Sequence, residues 1–403
     1  MNVLILSWEY PPIVAGGLAR HVRKLTENLV DDEELEVHVL TRGSRDTPAY
    51  EVMDGVHVHR VPETSHPRDL DAFLKWVDRM NADMVAVGRE LAEQADLVHG
   101  HDWLVADAAD KLARHAQIPY LTTIHATEYG RHQGWVDKHP QSYIHAAETW
   151  MAQRADHVIT CSHYMRGHVA DVYDLDEERI SVIPNGIDPE DLQPVEDLDT
   201  LRARFAAPDE KLVLLVGRLV YEKGFQLALE AMPGLIRRLG NVRFLVAGSG
   251  THEAELKKQA EQLGLMEHGT FLGWIGDDVL HSLYRIADLT VVPSIYEPFG
   301  LVALEAMASG CPCIVADTGG LREVVPNRDV GLRFKTQSAR SLSHWVARVL
   351  TDEELRDQLV TEASEHVLRF DWADIAVQTA AVYRRVAECR AQDAAPASAR
   401  SSG

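Results

Sequence analysis

The residues best suited to chemistry lie between Ser294 and Gly310, in the segment SIYEPFGLVALEAMASG. A strand is expected to end at Pro293 and Ser294, a loop to carry Glu297, Pro298, Phe299 and Gly300, and a helix to open at about Leu301. The first turn of a helix leaves backbone amides without intrahelical partners and carries the positive end of the helix dipole. Gly300 and Leu301 therefore make an anion site suited to a diphosphate. Glu297 precedes that site and Glu305 lies one turn inside the helix, so both carboxylates can face one bound molecule from different sides. On spacing alone, a capping role for Glu297 and a solvated helix position for Glu305 fit equally well. A second group is VGRLVYEKG, Val216 to Gly224, where Arg218 and Lys223 follow a strand end. Two cations on one loop can converge on an anion and neutralise the charge that develops on a departing diphosphate. Such a pair is also common as plain surface charge.

The first half of the chain offers weaker signals. Gly16 and Gly17 precede a helix at Leu18; paired glycines let backbone approach a ligand closely and leave helix amides open, or simply make a turn. His125 ends the strand LTTIH, and His101-Asp102-Trp103 ends DLVHGHDW. His next to Asp invites a metal, but no third ligand stands at local metal spacing, so no metal is expected. In the second half Gly248 to Gly250 and Trp274-Ile275 fall at strand ends. The first is expected to turn toward phosphates and the second toward a base, though both also read as ordinary turns.

Short apolar runs alternate with helical patterns along the whole chain, the mark of an α/β protein with parallel sheets. NVLILS reads as a buried strand, and Leu18, Val22, Leu25 and Leu29 step along one helical face after it. Further strands are read at EVHVLT, DLVHGH, PYLTTIH and HVITCS, with helices at ADAADKLARHA and SYIHAAETWMAQRA. An acidic stretch, PEDLQPVEDLDT, reads as a linker. A second series begins at KLVLLVGRL and runs to CPCIVAD. The expectation is two doubly wound, Rossmann-like domains facing a cleft, residues 1–190 and 200–365, with ligands at the carboxyl ends of the strands. Residues 366–390 are expected to pack back across the cleft, and 391–403 to be a disordered tail.

Composition bounds the partners. Among 403 residues, 40 Lys and Arg stand against 62 Asp and Glu, a net charge of −22. That balance argues against a nucleic acid or an anionic membrane surface as partner. The opening apolar run stops at Leu6, short of a secretory signal or a membrane span of about 20 residues, so a cytoplasmic protein without a transmembrane segment is expected. Cys161, Cys311, Cys313 and Cys389 lack metal or redox spacing and read as small core residues.

The segment EPFGLVALE, with seven residues between its two glutamates, resembles the signature of the retaining GT-B glycosyltransferases of family 4, which include glycogen and starch synthases, sucrose-phosphate synthases and many mannosyltransferases. AMASGCPCIVADTGGLREVV is similar to the same family, and the likeness runs from SWEYPP to the last helix. It implies a GT-B fold and transfer of a hexose from a nucleotide-diphosphate sugar to a carbohydrate acceptor. Glu297 would lie beside the donor sugar and Glu305 would hold the ribose hydroxyls. Arg218 and Lys223 would bind the diphosphate and make a metal unnecessary, and His125 and Asp102 would contact sugar. SWEYPP, Gly16-Gly17-Leu18 and the HDW triplet resemble glycogen synthase-like enzymes most, implying UDP- or ADP-glucose as donor and an α-glucan as acceptor. Those enzymes read Lys-Thr-Gly-Gly-Leu where this chain has Val14-Ala15-Gly16-Gly17-Leu18, so a phosphate contact is missing. A GDP-mannose-dependent mannosyltransferase is the nearest rival. A phosphorylase of similar architecture, or a sugar-nucleotide binding module without catalysis, are rivals of other classes.

Overall fold

The structure is a computed structural model that describes residues 1–14, 16–62, 67, 69–194 and 197–394. It divides into two compact units: Met1–Gly186 together with the segment from Trp372 onward, and Ile187–Asp371.

The first unit holds β1 (Asn2–Leu6), β2 (Glu36–Arg42), β3 (Tyr50–Met53), β4 (Val56–Val61), β5 (Leu97–His101), β6 (Tyr120–Ile124), β7 (His157–Thr160) and β8 (Ile180–Val182). They form one sheet in the order β3-β4-β2-β1-β5-β6-β7-β8. All neighbours are parallel except β3 and β4. β5, β6 and β7 are buried along their whole length, as strands covered by helices on both faces must be. The β3–β4 hairpin escaped the sequence reading, although its turn is Asp54-Gly55, with positive φ at both residues. The 25-residue helix Leu70–Gln94 escaped it too.

Helix Gly17–Leu29 buries Val22, Leu25 and Leu29, each worth roughly 1.5–3 kcal/mol of transfer from water. These residues share a core with Ile375, Ala376, Ala380 and Tyr383 of the helix Trp372–Ala394. Tyr383 is fully buried, and its hydroxyl meets His99 Nδ1 at 2.7 Å. A Cβ on Gly186, where the chain leaves this unit, would stand 2.5 Å from the indole of Trp372, where it returns, so only glycine fits there. The segment expected to lie across a cleft thus divides between units: Val367–Phe370 stays in the second, and the helix from Trp372 completes the core of the first. Of the expected tail, 391–394 continue this helix, and 395–403 lie outside the described residues.

The second unit holds β9 (Lys211–Val216), β10 (Val242–Ala247), β11 (Gly269–Gly273), β12 (Leu289–Val292), β13 (Cys313–Ala316) and β14 (Leu332–Phe334). Its all-parallel sheet has the order β11-β10-β9-β12-β13-β14. The stretch read as a linker is partly ordered here. Pro189–Leu192 makes a short 3-10 turn and Leu198–Ala203 a helix whose first amides are held by the Asp197 carboxylate, while 195 and 196 lie outside the described residues. Three of the four cysteines are buried as expected, but Cys389 is exposed on the last helix. Among the described residues no helix is long and apolar enough to cross a membrane.

Both sheets reverse direction once. The chain goes from β1 outward through β2, then returns to the other side of β1 with β5; likewise it goes from β9 through β10 and β11, then returns to β12. Loops that leave such a pair of neighbours diverge and open a crevice at the strands' carboxyl ends. Gly16, Asp102, Arg218, Lys223 and Glu297 follow strands of these pairs, while His125 follows β6, Gly248 follows β10 and Glu305 lies in the helix Leu301–Ala308.

Candidate active site

In the second unit the loops after β9, β10 and β12 are locked together by backbone. Ile295 N donates to Glu222 O at 2.8 Å, Leu219 N to Ser249 O at 2.9 Å and His252 N to Leu219 O at 2.8 Å. The approach is so close that side chains are excluded at two glycines with positive φ. A Cβ on Gly248 would lie 1.9 Å from Gly217 O, and one on Gly224 would lie 2.0 Å from Pro293 O. The role of Gly248 is thus first to let two loops touch.

This clamp sets Lys223 beside Glu297. Lys223 Nζ donates to Glu297 Oε2 at 2.8 Å, and Ser294 Oγ donates to the same oxygen at 2.9 Å. Glu297 is buried and does not cap the following helix, whose N-terminal residue Gly300 makes no side-chain cap. Gly300 takes φ 125°, a value open to glycine at little cost, and from there the helix Leu301–Ala308 runs with its first amides unsatisfied within the helix. Glu305 is partly buried, and the buried Tyr284 hydroxyl donates to its Oε2 at 2.8 Å. Burial, then the neighbouring Glu305 charge, holds the Tyr284 hydroxyl well above its ordinary pKa, so it remains a donor. Neither glutamate is a freely solvated charge. Arg218 is exposed on the loop that bears Lys223. Trp274 is 76% exposed, whereas Ile275 packs on the hydrophobic core of this unit instead of turning outward.

In the first unit the expected open amide at Gly16 is already taken. Gly16 N donates to Glu9 Oε2 at 3.2 Å, and Glu9 is buried. A carboxylate at the start of helix Gly17–Leu29 is where an anion belongs, and the chain supplies its own. Glu9 gives no local signal of this role in the sequence, because its partner is seven residues away across an irregular loop.

Asp102 follows β5 with φ 60° and ψ 173°, a conformation that costs a non-glycine residue about 1–3 kcal/mol. Its Oδ1 accepts His125 N at 2.9 Å, and its own amide donates to Thr123 O at 3.0 Å. Strain and hydrogen bonds together tie the end of β5 to the end of β6. Burial raises the Asp102 carboxyl to about 6, against the pull of its backbone hydrogen bond. His125 follows β6, and its Nε2 meets His101 Nδ1 at 3.1 Å. His21, on helix Gly17–Leu29, stacks edge-on against His125 with ring centroids 4.6 Å apart, and His99 lies 4.3 Å from His101. Burial lowers His125 to about 4, with Arg131 adding to the effect, and lowers His101 and His21 well below the ordinary range. The four rings are neutral near pH 7. His21 and His99 were not expected here, since the first comes from another element and the second lies two residues along β5.

Below this layer Glu148 is buried and receives Glu128 N through both oxygens, at 2.8 and 3.1 Å, and the Tyr173 hydroxyl at 2.7 Å. It anchors the turn Glu128–Arg131 that follows His125.

Comparison with known proteins agrees with this division. Residues 15–191 match the model of Glycosyltransferase Family 4, and residues 198–366 that of Glycosyl transferases group 1. An uncharacterized glycosyltransferase of Methanocaldococcus jannaschii is 37% identical over 390 residues, covering 95% of this chain and 98% of that protein. A glycogen synthase of Mycobacterium tuberculosis is 36% identical over 402 residues, covering 95% of this chain and 94% of the other. Among solved structures, a sucrose-phosphate synthase from Thermosynechococcus elongatus superposes with a TM-score of 0.82 at 26% identity, covering 96% of this chain and 98% of that one.

Proposed function

The chain belongs to the family 4 glycosyltransferases of GT-B fold, and from that membership we propose that it transfers glucose, with retained configuration, from UDP- or ADP-glucose to an α-glucan or glucose-terminated oligosaccharide. The observation that carries the choice of substrate is the full-length likeness to a glycogen synthase.

In this reading the second unit takes the donor. Lys223, Arg218 and the first amides of helix Leu301–Ala308, at Gly300 and Leu301, hold the diphosphate; Glu305, kept in place by Tyr284, takes the ribose hydroxyls. Gly248 turns its loop toward the phosphates. Glu297 orients the sugar while its bond to Lys223 fixes the ammonium that faces the leaving group. His125 and Asp102 of the first unit contact sugar, the neutral imidazole as hydrogen-bonding group and not as cation, and Gly16 and Gly17 let the backbone come near it.

A retaining hydrolase needs two carboxylates about 5–5.5 Å apart, one of them a nucleophile. Here Glu297 is held by an ammonium and a hydroxyl on one oxygen, which lowers its nucleophilicity and suits it to positioning. Transfer then proceeds on one face of the sugar. The C1–O bond to the diphosphate breaks, the acceptor oxygen bonds to C1, and the acceptor proton passes to the departing phosphate oxygen. Positive groups aimed at that oxygen act where charge develops. No divalent metal is called for as cofactor.

The test offers UDP-glucose, ADP-glucose and GDP-mannose side by side with maltooligosaccharides and follows chain extension. Extension with a glucose donor is expected. Exclusive use of GDP-mannose, or no extension with either glucose donor, overturns the substrate assignment.

A further inference from the structure

The neutral imidazoles of His21, His101 and His125 form a cluster that the proposed reaction uses only in part, since it assigns no role to His21 or His101. One ring nitrogen from each lies within 4.8 Å of the other two. Within the cluster His101 Nδ1 and His125 Nε2 are 3.1 Å apart. A tetrahedral zinc with bonds of 2.0–2.1 Å places its nitrogen ligands about 3.4 Å from one another, so the set has at most about 1.4 Å to close. Two ring nitrogens of the cluster, His21 Nδ1 and His101 Nε2, are buried with no hydrogen-bond partner among the described residues. Buried polar atoms in native proteins are paired as a rule, so the cluster holds hydrogen-bonding capacity that no described residue uses. His21 and His101 are buried and His125 is partly exposed, which leaves one side for entry and for a water in the fourth position.

We propose that His21, His101 and His125 bind one divalent late transition-metal ion, zinc or a chemical equivalent, and that occupancy of this site switches the transferase off by withdrawing His125 from the sugar. Three imidazoles suit zinc, nickel and copper, and exclude magnesium and calcium, which demand oxygen ligands. Sequence spacing hid the set because the ligands stand on a helix and at the ends of two strands, 80 and 24 residues apart along the chain. The ends of β5 and β6 are neighbours in the sheet. The metal here is an inhibitor, distinct from the diphosphate and without a part in bond cleavage. Binding stands independently of the proposed reaction; only the inhibition rests on it.

The full-length protein, stripped with a chelator, is titrated with CoCl2 and with ZnCl2. One equivalent is expected, with the visible bands of tetrahedral cobalt and, by X-ray absorption, three imidazole nitrogens at about 2.0–2.1 Å. His21→Ala weakens binding at least a hundredfold, while His38→Ala does not. His38 belongs to a second cluster, with its Nδ1 3.2 Å from His59 Nε2, and serves as the control among 20 histidines. Micromolar zinc abolishes chain extension by the native enzyme and leaves the His21→Ala enzyme active. If the native protein takes up no cobalt, if the absorption edge shows fewer than three imidazoles, or if His38→Ala and not His21→Ala removes the site, the proposal fails. The absorption measurement needs no variant, so a misfolded His21→Ala protein does not leave the question open. Stoichiometric binding without zinc inhibition overturns the switch alone, and absence of transfer with every donor overturns the proposed reaction alone.

Discussion

Replacing Glu148 with glutamine should make the protein more stable at pH 8 and leave it unchanged at pH 4. Glu148 is 1% exposed. Two hydrogen bonds from Glu128 N and one from Tyr173 favour its ionised form, as does Arg131, yet burial outweighs them and raises the carboxyl to about 7 from 4.5. The folded protein thus binds this proton more tightly than the unfolded chain does. Stability from this source is fully present below pH 4.5, falls between 4.5 and 7, and is gone above. At 1.36 kcal/mol per pKa unit, a shift of about 2.5 units makes the ionised residue a burden of about 3 kcal/mol at pH 8. Glutamine stays neutral at every pH, and its carbonyl still accepts Glu128 N. Urea unfolding of both proteins at pH 4, 5, 6, 7 and 8 isolates the effect, because every other titrating group cancels in the difference. The expected difference grows from near zero to about 3 kcal/mol in favour of Glu148→Gln. A pH-independent difference, or a less stable variant at pH 8, would refute the reasoning and mean that the three hydrogen bonds outweigh burial.

Lys223→Ala should lower turnover by about a hundredfold to a thousandfold, the usual loss for a donor aimed at developing charge, and should also destabilise the fold by leaving the buried Glu297 without its cation; near-native turnover in both Lys223→Ala and Arg218→Ala would sink the diphosphate assignment. Glu305→Ala should raise the donor KM with kcat nearly unchanged, and a collapsed kcat at constant KM would reverse the roles given to the two glutamates. Transfer should persist in EDTA, which also removes any inhibiting zinc; loss restored by Mg²⁺ or Mn²⁺ contradicts a metal-free diphosphate site. Asp102→Gly should be more stable than Asp102→Ala by about 1–3 kcal/mol, since both lose the bond to His125 N but only glycine relieves a φ of 60°; equal unfolding midpoints would show that the strand end relaxes.

How far the sequence carries the argument differs between elements and sites. NVLILS, PYLTTIH and LTVVPS are recognisable as strands because continuous apolar runs of that length suit sheets buried on both faces. The alternating VHVHRV of β4 offers no such continuous run, and it is not among the strands read from the sequence. Nothing local says where the last helix belongs. Ile375, Ala376, Ala380 and Tyr383 would be an apolar stripe against any partner, and only the fold reveals Val22, Leu25 and His99 as the surface they cover.

The same limit applies inside the sites. Motif and spacing pick out Glu297, Glu305, Lys223, Asp102 and His125 by type and place, because those features are local. What each group can do depends on partners that are far away in sequence. Lys223 meets Glu297 across 74 residues, and the contact exists because β9 and β12 are neighbours where the sheet reverses. His125 meets His101 because β5 and β6 are neighbours, and Gly16 is occupied by Glu9 because the loop after β1 folds back on itself. Strand order therefore sets each group's surroundings: it places one carboxylate against an ammonium and packs imidazoles until burial holds them neutral. An open amide at Gly16 and a lone His-Asp pair were reasonable expectations from local residues. Both gave way to groups that strand order or a folded-back loop brings alongside, a carboxylate in one case and two further imidazoles in the other.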